Sequence, residues 1–529
     1  MKQAELTSSP PVAAFRKVRP VNPATRKVVA EYECADQTAV RAVVAGAKAV
    51  QPGWYGAGVK WRIAILREFQ RLLLGKKTAV AEAITRESGK PVTEALVTEV
   101  LVVLDAAQFL IDHAYRLLRD EPLPHGNLVT KLKRGRLVRE PYGVVGIISP
   151  WNYPFSIPAT ETMAALVAGN CVVLKPSEFT PGVALELASL MYAAGVPKNV
   201  LQVVIGEGSS GAALVDSAID KLVFTGSVAT GKGIAATAAA RLLPVVLELG
   251  GKDPMVVLDD ADIEVASSGA VWGAFMNAGQ TCLSVERCYV HRSQYARFSQ
   301  ACADKASTLH VGDGMDPKSD MGPMIHERQL EIVEAHVEDA KSRGARVLAG
   351  GRRLQELGTN FYAPTVLADV THEMRIMREE TFGPVLPVMA FDSDDEAVRL
   401  ANDSEYGLAA SVWTRDNARG ENLARQIHAG TVMVNDVISC FGISEAPHGG
   451  VKGSGIGRTH GRFGLEEMVR LKYLDTDLMP GMKKVWWYGY GKRLRKQMEG
   501  FTEMQFARTL SRRVKGVARA VGVVGRKQV

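Results

Sequence analysis

The chain has 529 residues, 47% of them hydrophobic and 23% charged, with a formal net charge of +7. That length is too great for one hydrophobic core and predicts two or three domains of ordinary globular composition. Six irregularly spaced cysteines exclude a small disulfide-rich scaffold, and residues 1–20 lack the apolar segment of a signal peptide. These features predict a cytoplasmic protein in a reducing compartment.

The N-terminal part is predicted to be mainly helical. A helix is expected over residues 36–49, and helical periodicity runs over 59–119 with a break at 90–91. Residues 128–143 then alternate apolar and polar side chains around the Arg-Gly pair at 134–135. That pattern predicts a long hairpin with one solvated face.

From residue 144 onward, short apolar strands alternate with helices. The predicted strands are 144–149, 171–176, 201–206, 221–226 and 244–251, and the helices between them are 160–169, 183–195, 211–218 and 231–241. Apolar strands separated by helices are typical of a parallel, doubly wound sheet. A second alternating stretch, over residues 254–436, predicts a second α/β domain.

Open α/β sheets bind ligands beyond the carboxyl ends of their strands, and polar residues stand at four such ends. Asn152, in SPWNYP, is either a turn former or an amide donor to a developing oxyanion. In KPSE, Glu178 is suited to accept hydrogen bonds from the ribose hydroxyls of a dinucleotide, whereas Lys175 would attract a 2′-phosphate. The pair favours NAD and leaves NADP open.

The next two strand ends also carry candidate residues. In FTGSVATGKG, Gly226 and Ser227 precede a helix whose N-terminal amides are suited to hold a phosphate. In LELGGKDP, Glu248 lies among apolar residues, where a carboxyl group is costly unless it is bonded or has a raised pKa. Glu248 is therefore either bonded to neighbouring backbone amides or a general base.

Cys282, in NAGQTCLSVERC, follows a predicted helix over 266–279 that ends at a glycine. Cys282 and Cys288 lack the spacing of metal ligands, and no metal is predicted. Cys288 lies in a predicted strand over 285–291 and fits a buried packing residue. Cys282 lies in a loop, which favours a nucleophile, provided that its pKa falls below about 8.5 so that thiolate is abundant at neutral pH.

Together and in this order, these segments resemble the aldehyde dehydrogenase superfamily up to about residue 475. The motifs that carry the resemblance are SPWNYP, KPSE, FTGS, LELGGKDP, AGQTC, EETFGPVLP and GGVKGSGIGR. The resemblance implies an α/β fold with two doubly wound domains, one for the cofactor and one for catalysis, and a small β arm for oligomerisation. The implied boundaries are 1–127 and 143–249 with a return near 446–465 for the NAD(P)-binding domain, 250–445 for the catalytic domain, 128–142 with 466–478 for the arm, and 479–529 for a basic tail.

The resemblance also implies a role for each matching residue. Cys282 attacks the aldehyde carbonyl, the Asn152 amide stabilises the oxyanion, and Glu248 activates the water that hydrolyses the thioester. The implied NAD(P)-binding residues are Ser149, Trp151, Lys175, Glu178, Gly226, Ser227, Leu249, Glu380 and Phe382. Because relatives that pass the acyl group to coenzyme A typically lack this glutamate, hydrolysis to the free acid is expected, in a homodimer or homotetramer.

The last fifty residues depart from the common family pattern. Residues 481–529 contain thirteen Lys or Arg against two Glu, so the other 480 residues carry a balance of −4. Behind an aromatic and basic segment at 483–497, apolar residues recur at helical spacing at Leu510, Val514, Val517, Val521 and Val524. This pattern predicts an amphipathic basic helix on an anionic membrane surface, with a helix docked on the oligomer or a solvated tail as alternatives. Nucleic-acid binding is not predicted.

Fatty-aldehyde members of the family carry similar tails, so a medium- or long-chain aliphatic aldehyde is the expected substrate. Succinic semialdehyde and other small aldehydes are the alternatives. Phe441 is a candidate for the wall of the substrate tunnel, and Arg287 is a candidate partner for a carboxylated substrate.

Two other classes of protein are alternatives: a membrane-surface scaffold that retains the fold, and a cofactor-free thiol hydrolase. The first is disfavoured because all three reactive residues are present, and the second because no histidine base adjoins these motifs.

Overall fold

The computed structural model describes residues 16–127 and 130–521 and divides into two compact units. The first unit comprises the chain up to Leu117 together with Pro141–Val469. The second comprises Leu118–Glu140 and the chain from Arg470 onward.

The strands of the described residues, in chain order, are β1 Lys17–Val18, β2 Tyr32–Glu33, β3 Glu121–Leu123, β4 Lys133–Pro141, β5 Val144–Ile148, β6 Cys171–Lys175, β7 Leu201–Val203, β8 Lys221–Thr225, β9 Val245–Glu248, β10 Asp253–Val257, β11 Val285–His291, β12 Arg346–Ala349, β13 Thr365–Ala368, β14 Val385–Phe391, β15 Ala409–Trp413, β16 Thr431–Val434, β17 Gly455–Ile456 and β18 Val469–Asp477. The α-helices are α1 Gln37–Gly56, α2 Val59–Ser88, α3 Val92–Ala95, α4 Val102–Leu118, α5 Ser156–Ala168, α6 Pro181–Ala193, α7 Gly208–Asp216, α8 Val228–Ala239, α9 Ile263–Phe275, α10 Arg292–Thr308, α11 Glu327–Ser342, α12 Asp394–Asn402, α13 Asn417–Ala424, α14 Gly461–Glu466, α15 Lys492–Phe506 and α16 Leu510–Ala520.

Two sheets dominate the first unit. One has six strands in the order β17-β9-β8-β5-β6-β7, and the other has seven in the order β12-β13-β14-β11-β10-β15-β16. All strand pairs are parallel except β17 with β9 and β12 with β13. The predicted α/β fold class is confirmed, and each predicted strand and helix from residue 144 to 251 is present.

The strand order of the six-stranded sheet explains where a ligand would bind. From β5 the chain moves outward through β6 and β7, and then returns to the other side of β5 with β8 and β9. The connections after β5 and β8 therefore leave the sheet in opposite directions and open a crevice between them. Asn152 follows β5 and Gly226 follows β8, so both lie at this switch point.

The helical N-terminal region matches its prediction, with one addition. Helix α2 ends at Gly89, which has the left-handed φ of 83° typical of a helix C-cap. The chain then forms α3, a π-helical segment over Leu96–Leu101, and α4. The single predicted break is therefore followed by a second irregularity, and π-helical turns are often found at functional sites.

The predicted hairpin at 128–143 is wrong. Residues 128–129 lie outside the described residues, but Lys133–Pro141 forms one continuous strand, central in a three-stranded sheet of order β18-β4-β3. Gly135 does not turn the chain. Because Gly135 has no side chain, the neighbouring strands β3 and β18 can both approach it closely. An added Cβ would lie 2.8 Å from the Leu123 carbonyl oxygen and 2.9 Å from the Tyr473 ring.

The second unit also contains the two helices of the basic tail, α15 and α16. They pack closely at two glycines: a Cβ at Gly516 would collide with the backbone of α15, and one at Gly500 with Arg519. Arg519 also forms an ion pair with Glu503 at 3.1 Å. The amphipathic helix was predicted correctly up to residue 520, whereas α15 was not predicted, and Val524 lies outside the described residues. Among the described helices, none is long and apolar enough to cross a bilayer.

Candidate active site

The three residues expected to react lie around one cavity of about 300 Å³. Its lining includes Asn152 after β5, Glu248 at the end of β9, and Cys282 before β11. Six residues predicted to bind the cofactor also line it: Trp151, Gly226, Ser227, Leu249, Glu380 and Phe382. The fold therefore brings together side chains that are as far as 231 residues apart in the chain.

A second cavity, of about 460 Å³, shares Cys282 with the first. It is lined mainly by apolar side chains, among them Val97, Leu101, Val102, Tyr153, Ile157, Trp272, Met276, Leu283, Ile438, Phe441 and Ile443. Of the described residues that line it, Asp105 is the one with an acidic or basic side chain, and it is exposed. Cys282 thus lies between a cavity whose lining includes carboxyl and amide groups and a cavity lined mainly by apolar side chains.

The loop that carries Cys282 is held in a fixed conformation. Helix α9 ends at Phe275, and Asn277 and Ala278 then adopt left-handed φ angles of 53° and 54°. Gly279 continues the turn at φ 71°, where an added Cβ would overlap the backbone of Gly383. Non-glycine residues with positive φ cost free energy, and they persist where surrounding contacts enforce them.

Cys282 as a whole residue is half-buried. Burial raises the pKa of its thiol, and the charges of Asp253 and Glu380 raise it further. This is opposite to the low pKa that the sequence argument required for an abundant thiolate. The physical reason is that the nearby ionisable groups are acids, which disfavour a second negative charge.

Asn152 is held by hydrogen bonds to its side-chain amide and to its backbone carbonyl group. Its side-chain Nδ2 donates to the carbonyl oxygen of Gln280 at 3.0 Å, which occupies one of its two N–H groups. The backbone carbonyl oxygen of Asn152 accepts from Lys90 Nζ at 2.7 Å and from Asn277 Nδ2 at 3.0 Å. The amide is therefore tied to the loop that carries Cys282.

A buried ion pair behind Asn152 was missed by the sequence analysis. Lys90 Nζ donates to Glu99 Oε1 at 2.7 Å, and Glu99 Oε2 accepts from the backbone N–H groups of Phe155 and Ser156. Both side chains are fully buried. The break at 90–91 was the signal available in the sequence, but nothing in it linked that break to Asn152, 62 residues later.

Glu248 is buried, and neither of its carboxyl oxygens has a hydrogen-bond partner among the described residues. The alternative in which it bonds to neighbouring backbone amides is therefore wrong. Burial raises its pKa well above the ordinary value, and the nearby Glu161 raises it further. A carboxyl group with a raised pKa is suited to exchange protons near neutral pH.

The predicted ribose site lies at the adjacent strand end. Lys175 closes β6 and is buried, with its Nζ 3.5 Å from a carboxyl oxygen of Glu178. Ser149 follows β5, and its hydroxyl is buried without a hydrogen-bond partner in the described structure. Ser227 caps the N-terminus of α8 and accepts from the Thr230 N–H at 3.4 Å, and the N-terminus of a helix is suited to bind an anion. This donor set fits the ribose and phosphates of a dinucleotide.

The segment with Glu380 and Phe382 is fixed by a second buried ion pair that the sequence did not reveal. Glu286 accepts from the backbone N–H groups of Thr381 and Phe382, and it bonds to Lys252 Nζ at 2.5 Å. Glu380 itself accepts from the Gly251 N–H at 3.1 Å. Burial raises the pKa of Glu380 to about 8.

Phe441 lines the apolar cavity, as predicted for a substrate wall, with its ring centroid 6.4 Å from that of Tyr153. The candidate partner for a carboxylated substrate, Arg287, is wrong. Its guanidinium is buried in the protein and donates to the carbonyl oxygens of Lys252, Leu400 and Ala401. These bonds leave it no access to either cavity.

Comparison with known proteins agrees with this geometry. The model of the aldehyde dehydrogenase family matches residues 12–474. The 4,4′-diapolycopene aldehyde oxidase of Methylomonas sp. is 44% identical over 412 residues, which are 78% of this chain and 77% of that protein. The mitochondrial succinate-semialdehyde dehydrogenase of Oryza sativa subsp. japonica is 37% identical over 455 residues, which are 86% and 85% of the two chains. An NAD⁺ complex of aldehyde dehydrogenase from Bacillus cereus superposes with a TM-score of 0.84 at 36% identity, over 88% of this chain and 94% of that one.

The chain belongs to the aldehyde dehydrogenase family. It is accordingly an oxidoreductase that oxidises aldehydes with NAD(P) as the hydride acceptor. The roles of the individual residues and the identity of the aldehyde are finer questions.

Proposed function

We propose that this enzyme oxidises a long apolar aldehyde to the carboxylic acid, with Cys282 as nucleophile, Asn152 as oxyanion donor and Glu248 as general base. The observation that carries the proposal is the position of Cys282 between the two cavities. One cavity holds the acid and amide side chains, and the other offers an apolar wall. A substrate in the apolar cavity would present its aldehyde carbon to the sulfur.

In the first half of the reaction, the Cys282 thiol gives its proton to water in the cavity, and its sulfur adds to the carbonyl carbon. The carbonyl oxygen becomes an oxyanion, which the second N–H of the Asn152 amide stabilises. NAD(P) supplies the acceptor for the hydride that leaves this carbon, and a thioester on Cys282 remains. Since burial raises the pKa of Cys282, we propose that the positively charged nicotinamide ring of a bound cofactor would lower it.

In the second half, Glu248 removes a proton from a water molecule as the water oxygen attacks the thioester. The C–S bond then breaks, the acid is released and the Cys282 thiolate is regenerated. Glu248 is free to act in this way because no described residue donates a hydrogen bond to its carboxylate. The Lys90–Glu99 pair holds Asn152 in place through both steps.

The substrate proposal is supported by the charge and chemistry of the apolar cavity. A dicarboxylic semialdehyde such as succinic semialdehyde would need a cation there, and no Lys or Arg is found among the described residues of its lining. The relative from Methylomonas is named for an aldehyde of diapolycopene, and the plant relative for succinic semialdehyde. The lining favours the first type of substrate. Glu178 favours NAD over NADP, because its carboxylate would repel a 2′-phosphate.

We expect the catalytic efficiency with NAD⁺ to rise with chain length over saturated aldehydes of two to sixteen carbons. Each methylene that enters the apolar cavity contributes up to about 0.8 kcal/mol of binding, or roughly fourfold in kcat/KM. NADH formation in the absence of coenzyme A is the measurement. Succinic semialdehyde serves as the charged control, and a kcat/KM for it above that of every longer aldehyde would reject the apolar-substrate proposal.

We further propose that β4 and β18 form an oligomerisation arm and that the tail binds an anionic membrane surface. The membrane proposal is supported by the exposure of four apolar side chains on α16: Leu510 (77%), Val514 (60%), Val517 (48%) and Val521 (72%). Packing against α15 does not cover them, and Arg512, Arg513 and Lys515 are interspersed among them. An apolar stripe flanked by basic residues suits the interface of an anionic bilayer.

Deletion of residues 481–529 is expected to abolish co-sedimentation with phosphatidylserine vesicles and to leave turnover of a short soluble aldehyde largely intact. The variant L510S/V514S/V517S keeps every charge and is expected to lose most of the binding, since it removes the apolar stripe alone. Equal sedimentation of the deletion variant and the full chain would reject the membrane proposal. Equal sedimentation of the serine variant would show that charge alone drives the binding.

A further inference from the structure

Two histidines, His448 and His460, lie near Glu248. His448 Nε2 is 3.8 Å from Glu248 Oε2, and the rings of His448 and His460 have centroids 5.7 Å apart. The three side chains form a continuous row of ionisable groups. None of the steps described above uses either histidine.

The positions of both histidines are fixed by the backbone. His448 and Thr459 exchange two hydrogen bonds of 2.8 Å, which form an antiparallel bridge next to the pairing of β17 with β9. Thr459 Oγ1 lies 3.0 Å from His460 Nδ1. The edge of the Phe441 ring packs against both imidazoles, with centroids 5.2 Å from His448 and 4.6 Å from His460. Phe441 therefore separates the row from the substrate cavity.

The reaction creates a demand for such a row. Oxidation of an aldehyde with water yields a carboxylic acid and a hydride, and the proton that Glu248 takes from water must leave before the next turnover. Glu248 is buried, and its carboxyl oxygens have no hydrogen-bond partner among the described residues. His448 Nε2 lies 3.8 Å from Glu248 Oε2, close enough to accept this proton after a small movement of one side chain.

We propose that His448 accepts the proton from Glu248 and passes it towards His460, an inference that rests on the proposed role of Glu248 as base. In balance, the water O–H bond breaks and the proton joins Glu248. The carboxyl O–H bond then breaks and the proton joins His448 Nε2, while the proton on Nδ1 passes to the ring of His460 and from this partly exposed residue to water. No oxidant or further reactant is required. His448 does not contact the substrate. It acts through Glu248, from which it takes the proton that came from water.

The electrostatics keep this transfer brief. Burial, and then the neighbouring His460, lower the pKa of His448 to about 3, and burial lowers that of His460 to about 4. The charged and titratable groups that face the row are Glu161 from α5, Glu467 after α14 and Arg458 after β17. Because the pKa of Glu248 is raised and that of His448 is lowered, transfer to His448 is uphill, and the protonated imidazole is a short-lived species that passes its proton on.

The test is stopped-flow measurement of NADH formation by H448F and H448Q with a saturating aldehyde. Both variants are expected to retain the rate and the amplitude, near one equivalent per subunit, of a first NADH burst. Their steady-state rate is expected to fall by about 10²-fold, because hydrolysis then waits for Glu248 to lose its proton. We also expect the solvent isotope effect on the steady-state rate to change. H372Q is the control, since His372 is a buried histidine bonded to Tyr289 and Asp403 away from the cavities.

A steady-state rate of H448F equal to that of the unmodified enzyme would overturn the proposal. So would full activity of H448Q, because glutamine preserves a hydrogen bond but cannot accept a proton. An equal loss of burst and steady-state rate, as in a merely destabilised enzyme, would also overturn it. E248Q separates the two ideas: if its hydrolysis is normal, the role of Glu248 fails, and if only the His448 variants are normal, the proton route fails alone.

Discussion

Replacement of Cys282 by alanine is expected to lower kcat by at least about 10⁴-fold, because the variant has no atom that can form the thioester. Cofactor binding is expected to persist, since the residues that fit the ribose and phosphates are untouched. The measurement pairs NADH formation with binding of NAD⁺ followed by protein fluorescence.

Cys302→Ala is a suitable control for this experiment. Cys302 is a free cysteine buried in the core on α10, and neither cavity includes it. Its loss would affect stability by cavity formation, without removing the reaction. Residual activity of the Cys282→Ala variant within tenfold of the unmodified enzyme would refute the nucleophile assignment.

Replacement of Glu248 by glutamine is expected to slow thioester hydrolysis by about 10² to 10⁴-fold, because glutamine cannot accept a proton from water. A burst of about one NADH per subunit is expected to precede the slow phase. Glu248 acts as a base only when ionised, and its pKa is raised by burial. The hydrolysis rate of the unmodified enzyme should therefore climb as the pH rises through that pKa, and E248Q should lack this climb.

Glu87→Gln provides a matched control for the Glu248 variant. Glu87 is likewise buried, and its pKa is raised to about 7 by burial, but it accepts hydrogen bonds from Gly182 and Val183 at the start of α6. The control variant should keep the pH climb. A pH profile of E248Q that matches that of the unmodified enzyme would assign the base to another group.

Local patterns in the sequence predicted most of the elements of the cofactor-binding sheet. The strand predicted at 171–176 and the helix predicted over 183–195 follow from an unbroken apolar run and from helical spacing, and they correspond to β6 and α6. Such signals depend on neighbouring residues and survive without knowledge of the fold. The hairpin at 128–143 failed because a glycine that signals a turn in isolation also permits close packing in the centre of a sheet.

The sequence by itself determined the α/β class and the resemblance to aldehyde dehydrogenases, since alternating apolar segments and ordered motifs are properties of the chain alone. Only the tertiary structure brought Cys282, before β11 of one sheet, to the same cavity as Asn152 and Glu248, which lie at the carboxyl ends of strands in the other sheet. The tertiary structure also brings Lys90 and Glu99 together as an ion pair behind Asn152, and it buries the Cys282 thiol, which raises the pKa of that thiol. Distance, burial and charge arise from residues remote in the chain, and no local pattern records which of them meet.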